Sequence, residues 1–483
     1  MSYTCKIINL TLRYRKVKTL KTYLYSGIAL ASIALSLFTS SCKKDLLLSN
    51  GALEFSVDTV LFDTVFTSIG STTKNFKIYN RSNRPVVIDE VRLAGGSNST
   101  YRFNLDGESG VLFTDVRIPA NDSLFGFVEV TLGENNLNDP LIIEDSIVFS
   151  TNGVEQRVLL AAWGQDAYFH FNDVNDGVWP NDKPHVIYGY AGIDSAQSLT
   201  IQAGTNIYLH KNSLLYVYKG SLHIAGELNN KVTIQGDRLE AFYDDVKGQY
   251  YGIYFQEARP SLIEHAIIKN GTAGVHVFSE DPSNTGYTVE IRNSEIFNHS
   301  SYGIFNYSGG KIRGDNLLVH NNNFYGFFLL EGGDYNFSHC HFLGYGTDGN
   351  QPAVAIKNYF TRSDGITYIG GINEGTINNS VLYGNGEIQL VYDTITQGGA
   401  VPIVYDYQYN LIQLETPIVD NPGFSNNIWN LNPLFNNLEE LDYKFPTNSP
   451  LNNAGGALFN NFFDIEENPR DPTFPDIGAF EIN

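Results

Sequence analysis

A short motif returns four times in the middle of this chain at nearly constant spacing. Each copy is a glycine followed by an apolar residue and by further apolar or aromatic residues: Gly252-Ile253, Gly274-Val275, Gly303-Ile304 and Gly326-Phe327. The copies are 22, 29 and 23 residues apart. A repeat of this length, with short strand-like segments between turn residues, is typical of stacked coils that bury their apolar faces only against neighbouring coils. The stretch 251–346 therefore predicts a β-solenoid.

A second marker keeps the same register as the first. It reads Ile268-Lys269-Asn270, Ile296-Phe297-Asn298 and Val319-His320-Asn321, with spacings of 28 and 23 residues. For both markers, the spacing between successive copies is longer where it includes the polar, Gly- and Pro-containing run 279–286. An insertion of about six residues there accounts for both longer spacings. We expect this insertion to project as a loop beside the surface of the solenoid.

The charge balance argues against several classes of partner. The chain has 31 Lys and Arg against 52 Asp and Glu, a net charge of -21. Six of the basic residues and no acidic residue precede Cys42, which leaves 25 against 52, or -27, in the rest of the chain. Phosphate groups are bound by clustered cations, so nucleic acid and an anionic lipid surface are disfavoured as partners.

The three cysteines are too few and too dispersed for a structural framework. Cys5 and Cys42 lie at the start of the chain, and Cys340 stands alone in a strand-like run. We therefore expect neither an intramolecular disulfide in the mature chain nor a cysteine-based zinc site. A lone cysteine in such a run is predicted to be a buried core thiol.

Residues 1–41 have the pattern of an export signal. A cationic stretch over 13–21 precedes an apolar run over 24–38, which is shorter than the about 20 residues of a transmembrane helix. The small residues 39–41 and the cysteine after them resemble the lipobox of bacterial lipoproteins, although Thr39 stands where leucine is usual. The alternative is an ordinary cleaved signal followed by a chance cysteine.

The lipobox resemblance carries several implications. It implies a signal peptide that is cut before Cys42, acylation of that cysteine and stable membrane attachment through the acyl chains alone. Residues 42–54 would then form a tether. The run Lys43-Lys44-Asp45 resembles the start of lipoproteins exported to the outer membrane of some Gram-negative bacteria. We therefore expect a lipid-anchored protein on the cell surface or the periplasmic face of that membrane.

Residues 55–170 read as a first domain. Roughly seven short strands separated by turns predict a β-sandwich. The run 76–96 (FKIYNRSNRPVVIDEVRLAGG) resembles immunoglobulin-like domains found in cilia- and spindle-associated proteins and in bacterial surface proteins. The resemblance implies a spacer or a binding module, since no catalytic set of residues is visible in this part of the chain.

Residues 184–448 read as the solenoid domain. The runs 199–209 (LTIQAGTNIYL) and 220–237 (GSLHIAGELNNKVTIQGD) resemble the first coils of right-handed parallel β-helix proteins, which have the pectin-lyase-like fold. The end of the chain, 449–483, resembles a C-terminal segment common on bacterial β-helix proteins, and we expect it to cap the solenoid. Capping is favoured over catalysis for Arg470 and Asp476.

Alternation along the strands predicts which side chains face inward. Two positions before each Asn of the second marker, or its equivalent Gly344, the residues are apolar, and four positions before they are apolar or small. These two sets are Ile268, Ile296, Val319 and Phe342, and Ala266, Ser294, Leu317 and Cys340. We assign both to the core. The asparagines themselves are expected to stack in a turn, where Asn tolerates a left-handed backbone.

The opposite set is expected to face solvent. Its three columns are His265, Asn293, Asn316 and His339; Ile267, Glu295, Leu318 and His341; and Lys269, Phe297, His320 and Leu343. Such a surface suits an extended glycan, with aromatic rings against sugar faces and polar groups on hydroxyls. Glu295 with His320 or His341 is the best candidate for general acid/base catalysis. The ligand-binding candidates are His265, Lys269, Asn293, Phe297, Asn316 and His339. A decorated, inert surface is the alternative.

No cofactor is implied by these residues. His339 and His341 would share one face of a strand, but no third zinc ligand is identifiable, so we expect no metal site. Lyases of the pectin-lyase-like fold use a Lys or Arg base, often beside calcium held by carboxylates. Lys269, Lys311 and Arg313 are available without an acidic cluster beside them, which leaves calcium open but unsupported.

The sequence leaves three functions open. The first is non-catalytic binding of extracellular polysaccharide by a lipid-anchored, monomeric envelope protein. The second is a polysaccharide lyase or glycoside hydrolase of the pectin-lyase-like fold. The third is a purely structural surface protein. Products of cleavage would distinguish the second from the first.

Overall fold

The computed structural model describes residues 53–67, 69–134, 141–280, 286–346, 351–459 and 461–482. The predicted signal peptide (1–41), Cys42 with most of the tether, and the tip of the predicted loop (281–285) lie outside the described residues. Regular structure in the described ranges is almost entirely β-strand. Short 3-10 turns occur at Gly96–Asn98, Ala241–Tyr243, Gln397–Gly399 and Ala457–Phe459. Contacts divide the chain into two compact units.

The N-terminal part contains two five-stranded sheets. In spatial order, one is formed by Glu54–Phe55, Lys74–Asn80, Asp122–Val130, Tyr101–Leu105 and Glu108–Ser109. The other is formed by Thr59–Phe66, Val154–Gln165, Leu141–Thr151, Val86–Leu93 and Leu112–Ile118. The ring of Phe149 joins them, with centroids 4.8 Å from Phe55 and 6.4 Å from Phe76. Packing of two sheets is observed, while the relation to immunoglobulin-like domains stays a prediction.

The larger part is a parallel β-helix in which each full coil gives one strand to each of three sheets. Sheet 1 is formed by Leu214–Tyr218, Gly252–Gln256, Ala273–Phe278, Tyr302–Ser308, Tyr325–Leu329, Val354–Lys357 and Leu390–Asp393. Sheet 2 is formed by Gly177–Trp179, Ser198–Gln202, Ser221–Ala225, Ser261–Glu264, Val289–Arg292, Lys311–Asp315, Asp334–Ser338, Gly375–Asn378, Asp406–Gln408 and Phe424–Ser425. Sheet 3 is formed by Asn206–Leu209, Val232–Gly236, Ala266–Lys269, Glu295–Phe297, Leu318–His320, His341–Gly344, Val381–Gly384, Leu411–Ile412 and Ile428–Trp429.

The first strands of the helix are longer and link two of these sheets. His185–Ile193 pairs through its first half with sheet 3 and through its second half with sheet 1. Tyr168–Val174 pairs in parallel with that strand. An antiparallel hairpin, Tyr359–Thr361 with Thr367–Ile369, is inserted between coils.

The repeat read from the sequence is the coil of this helix. Ile253, Val275, Ile304 and Phe327 are direct partners in successive strands of sheet 1. The predicted β-solenoid is therefore confirmed, with the predicted register.

The core is the apolar interior of the coils. Both predicted inward sets, Cys340 included, are 0–1 % exposed. The Cys340 thiol is free and buried, as predicted. Burial of one such side chain stabilises the fold by about 1.5–3 kcal/mol, so a continuous stack of them holds the coils together.

The asparagines of the second marker form a ladder at the turn between sheets 3 and 1. Asn270, Asn298 and Asn321 have φ of 70°, 60° and 53°, the left-handed conformation predicted for them. Asn298 donates to Asn270 Oδ1 at 2.7 Å, and Asn321 donates to Asn298 Oδ1 at 3.2 Å. The side-chain amides thus satisfy one another from coil to coil.

A second ladder occupies the turn between sheets 2 and 3, and it corrects one prediction. His265, Asn293, Asn316 and His339 were expected on a solvent-facing column of strand residues. They have φ between 44° and 53°, and all but Asn293 are buried. Asn316 donates to Asn293 Oδ1 at 2.9 Å, and Asn293 Nδ2 lies 3.3 Å from His265 Nε2. These are turn residues, because the strands of sheet 2 end before them.

Candidate functional site

The outer face of sheet 3, where the sequence placed the site, is covered by the end of the chain. We call residues 433–482 the C-terminal strap. Its apolar side chains pack on outward-pointing residues of four successive strands of sheet 3 in a second core. The sheet contributes Leu318, Leu343, Val381 and Leu411, and the strap contributes Tyr443, Phe445, Leu451, Ile465, Ile477, Ala479 and Phe480.

The predicted catalytic histidines lie under this strap, so their predicted exposure is wrong. His320 and His341 are both 0 % exposed. The ring of His320 stacks on Phe297 at 4.8 Å and contacts Tyr443 at 4.8 Å. Alternation did point both side chains away from the core of the coils, but the strap supplies a second layer on that side.

Only one pair of the predicted catalytic set is brought together. Glu295 Oε1 lies 2.9 Å from His320 Nε2. His341 belongs to the next strand, between the rings of Phe435 and Phe480, and neither of its ring nitrogens has a hydrogen-bond partner. Burial lowers the pKa of His341 to about 3. A general acid or base must reach substrate, and these imidazoles do not reach solvent.

The other predicted binding residues of sheet 3 remain partly exposed. Lys269 and Phe297 are half-buried, as is Glu295. Within the described ranges, no group of three or more His, Cys, Asp or Glu side chains could hold a metal ion.

Arg470 and Asp476 fix the strap in place. The buried guanidinium of Arg470 lies 3.3 Å from Glu481 and donates to Asn316 Oδ1 at 3.1 Å and to the Gly478 carbonyl at 2.9 Å. Asp476 accepts from the backbone N–H groups of Asn453 and Ile482 at 2.6 and 2.7 Å. Burial raises the pKa of Asp476 to about 6. Both residues therefore serve packing of the strap against the side of the helix.

Sheet 1 presents a different outer face, which sequence reasoning missed. Five flat rings at matching positions of successive strands form what we call the aromatic column: Tyr216, Tyr254, His276, Phe305 and Phe328. Successive ring centroids are 5.6, 4.4, 4.8 and 5.3 Å apart, and every pair is stacked. All five are half-buried, so they reach the surface.

More rings lie on either side of the aromatic column. Tyr218, Phe278 and Tyr307 lie on one side, and Tyr251, Tyr302 and Tyr325 lie on the other. The hydroxyl of Tyr251 is 2.6 Å from His276 Nδ1. Burial lowers the pKa of His276 to about 4, so its imidazole is a neutral ring in the stack at neutral pH.

The aromatic column is interrupted at Gly192. This glycine is the direct partner of Tyr216 in the preceding strand, and Val174 is its own partner one strand earlier. Rings within the column stack on the ring of the next strand, whereas Tyr216 has no stacked ring from the preceding strand among the residues that the structure describes. A Cβ built on Gly192 would lie 3.4 Å from the Tyr190 ring, an ordinary contact, so a β-carbon fits there beside that ring.

A groove of about 600 Å³ opens at this gap. Its wall is mostly aromatic and aliphatic, and Asp194 is the one charged residue in it. The lining residues are Val174, Tyr190, Gly192, Ile193, Asp194, Leu214, Tyr216, Tyr218 and Tyr254. A concave, largely apolar site with a few hydroxyl groups is typical of small-ligand binding.

A signal for this face was present in the repeat. The residue two positions after each repeat glycine is a flat ring: Tyr254, His276, Phe305 and Phe328. On a strand that residue shares its face with the glycine and opposes the apolar residue between them, so it points outward. Read as a column, the four positions indicate an aromatic surface.

Comparisons with known proteins support the fold. A family model described as "Right handed beta helix region" matches residues 167–342. The comparison with curated proteins found no match. Among the described residues, no helix is long and apolar enough to span a bilayer.

Two solved structures show weak similarity. One is a family 123 glycoside hydrolase from Clostridium perfringens, studied for glycolipid glycan hydrolysis, at 7% identity and a TM-score of 0.17; the match covers 25% of this chain and 30% of that one. The other is the catalytic unit of a thermostable GH87 alpha-1,3-glucanase from Streptomyces thermodiastaticus strain HF3-3, at 9% identity and a TM-score of 0.26, covering 73% and 75%. TM-scores this low give no argument about activity.

Proposed function

We propose that this protein binds a neutral glycan without cleaving it, and that the groove at Gly192 holds one sugar ring against the open face of Tyr216. The observation that carries the proposal is the gap in the aromatic column. Successive coils are about 4.8 Å apart, so one missing ring leaves about 9–10 Å between the coils of Val174 and Tyr216. A single ring stacked on Tyr216 fills that space.

The chemistry of the groove favours a sugar over other flat ligands. The apolar C–H face of a pyranose packs on an aromatic ring, while tyrosine hydroxyls at the edges can bond its hydroxyl groups. Asp194 disfavours an anionic sugar, because two like charges would be held close together in an apolar site.

The same lining supports binding without cleavage. Hydrolysis by the usual route needs two carboxyl groups on either side of the glycosidic bond. The groove contributes one, Asp194. The Glu295–His320 pair lies on sheet 3, partly beneath Tyr443 of the strap.

The experiment is to fill the gap. Gly192→Phe extends the aromatic column by one ring and should weaken binding to neutral polysaccharides at least tenfold in affinity electrophoresis. Val391→Phe is the matched control: Val391 is 38 % exposed and pairs with Ala355, the partner of Phe328, at the far end of the same line of positions. Equal binding by wild type and Gly192→Phe would overturn the groove, and new reducing or unsaturated sugar ends would overturn binding without cleavage.

We also propose that acylation of Cys42 anchors the protein to the outer membrane and leaves the solenoid free to bind glycan outside the bilayer. The lipobox-like residues before Cys42 support this. Labelling with a palmitate analogue should mark the wild type but not Cys42→Ser, which should move to the soluble fraction. Membrane retention of unlabelled Cys42→Ser would contradict the anchor.

A further inference from the structure

The outer face of sheet 3 does not end where the strap covers it. The column that contains Phe297, His320 and Leu343 continues into Tyr383, the direct partner of Leu343. Gln413 comes next, immediately after Ile412, which is the partner of Leu382. At this level the column is only partly covered, because Tyr383 packs against the edge of the second core and is half-buried.

A cleft of about 710 Å³ opens there, between the last coils and the first part of the strap. Its chemistry differs from that of the Gly192 groove, because three amide side chains line it beside three aromatic rings, whereas the groove has no amide side chain. None of the residues that line it is charged. The side chains used below are Tyr345, Tyr383, Asn385, Gln413, Asn432 and Phe435.

Two of the amides are fixed by the backbone. Gln413 Oε1 accepts from the Gly384 N–H at 3.3 Å, and Asn432 Oδ1 accepts from the Leu434 N–H at 2.9 Å. Within the described chain, no further side-chain hydrogen bond is found for either residue, so both NH₂ groups remain as donors. Asn385 is exposed at the same cleft. Amides held in this way are preorganised to bond hydroxyl groups.

The aromatic walls give the cleft an apolar side. Tyr345 stacks on Tyr443 of the strap with ring centroids 6.1 Å apart and an angle of 11°. Burial raises the pKa of Tyr383, so its phenol stays protonated at neutral pH. This lining favours a ligand that is uncharged, rich in hydroxyl groups and apolar on one face.

We propose that this cleft is a second glycan site, which recognises the hydroxyl pattern of a neutral sugar through Gln413, Asn385 and Asn432. It takes the same class of ligand as the Gly192 groove but is independent of it, since the two share no residue. The groove holds a ring by its apolar face and tolerates changes in hydroxyl configuration. The amide cleft discriminates, because a misplaced hydroxyl leaves a fixed amide without a partner.

The test counts sites and measures their selectivity on the full mature chain. Calorimetric titration uses neutral β-1,4-linked trisaccharides in the gluco, manno and galacto configurations. Wild type should bind two molecules, and Gly192→Phe and Gln413→Leu should each bind one. The site left in Gly192→Phe should prefer one configuration at least tenfold, whereas the site left in Gln413→Leu should vary less than threefold.

Further variants separate binding from folding. Asn385→Ala removes an exposed amide and should weaken the selective site at least threefold with an unchanged melting temperature. Gln202→Leu is the matched control for Gln413→Leu. Gln202 is an exposed glutamine at the end of a sheet 2 strand, and the control should bind as wild type does. A stoichiometry of two in both Gln413→Leu and Asn385→Ala, with unchanged affinities, would overturn the amide cleft alone. The groove alone would be overturned if Gln413→Leu lost all binding while Gly192→Phe bound as wild type does. No binding of any trisaccharide by wild type would overturn both.

Discussion

Sheets 1 and 3 belong to the same coils, yet the outer face of sheet 1 reaches the surface while that of sheet 3 is largely covered by the strap. On sheet 1, the outward residues Tyr254, His276 and Phe305 stack on one another and reach the surface. On sheet 3, the outward residues His320 and His341 are buried beneath the strap. Strand alternation gives the direction of a side chain, but it does not say whether another part of the chain covers it.

The two faces also show two ways in which an outward-pointing ring is packed. A stacked column needs only the next coil, which is a local contact within the repeat. The strap instead brings residues more than a hundred positions away onto the sheet, as in the contact of the Phe480 ring with His341. The rings of the first face reach the surface along the column, whereas the second face reaches it only where the strap leaves it.

The largest effect on stability is expected from a substitution that releases the strap from sheet 3. Arg470→Ala leaves Glu481 buried without its partner, and loss of one member of a buried ion pair typically costs about 3–5 kcal/mol. Chemical denaturation should show that loss in the free energy of unfolding. Arg238→Ala, at a half-exposed arginine 3.0 Å from Glu240, is the control and should cost about 1 kcal/mol or less. A similar small effect at Arg470 would mean that the strap is not held by this arginine.

Acid should act more on the covered face than on the open one. The folded-state pKa of His341 is lowered to about 3 and that of His276 to about 4, both by burial. The unfolded state then binds the extra proton below about pH 6.5, so each histidine makes stability fall by up to about 1.4 kcal/mol per pH unit as the pH drops toward its folded pKa.

Substitution tests that difference. Between pH 6.5 and 4, His341→Leu and His276→Leu should each remove a similar part of the stability loss. Between about pH 4 and 3, His341→Leu should remove more of it, measured as unfolding free energy at each pH. His341→Leu should also stabilise the chain at pH 4, because both ring nitrogens of His341 lack partners. An unchanged pH slope in His341→Leu would contradict the buried position of this side chain.

Removing the ring at the gap should affect ligand more than fold. Tyr216→Ala deletes the proposed platform and should cost about 1–3 kcal/mol of binding, which is about a 5- to 150-fold loss of affinity for a neutral glycan. Phe328→Ala, at the other end of the aromatic column, should leave affinity within about threefold. Equal losses would favour binding along the whole column over binding at Gly192.

The smallest expected effect lies at the turn between the two faces. Asn298→Ala breaks both rungs of the asparagine ladder and should cost about 1–2 kcal/mol. Asn298→Gly keeps the left-handed turn accessible and isolates the hydrogen-bond part of that loss. Asn212→Ala, at an exposed asparagine with φ of 64°, measures the backbone part alone. Equal losses in Asn298→Ala and Asn212→Ala would mean that the ladder adds nothing.

Local periodicity was sufficient for the helix itself. The spacing of the repeat predicted the coils, and alternation placed Ile296 and Cys340 in the core because each coil packs only on its neighbours. The left-handed asparagines followed from the same repeat. These features depend on residues within one or two coils of each other.

The site could not be derived in the same way. The burial of His341 depends on Phe480, and no periodicity relates the strap to the sheet it covers. Strand alternation treats His265 and His339 as strand residues, whereas each has the left-handed conformation in the turn between a strand of sheet 2 and a strand of sheet 3. The rings of sheet 1 were visible in the sequence, but the gap at Gly192 has no side chain and is apparent only in the register.

The burial of Cys340 makes its thiol a chemical probe of local opening of the β-helix. It is the one free cysteine among the described residues, and it lies between a strand of sheet 2 and a strand of sheet 3 that the strap covers. Burial raises its pKa, so the reactive thiolate is scarce while the coil is closed. The rate at which an alkylating reagent modifies Cys340 in native buffer therefore reports how often this coil opens. Slower alkylation of Cys340 on addition of a trisaccharide would show that ligand binding at the surface lengthens the time for which this coil stays closed.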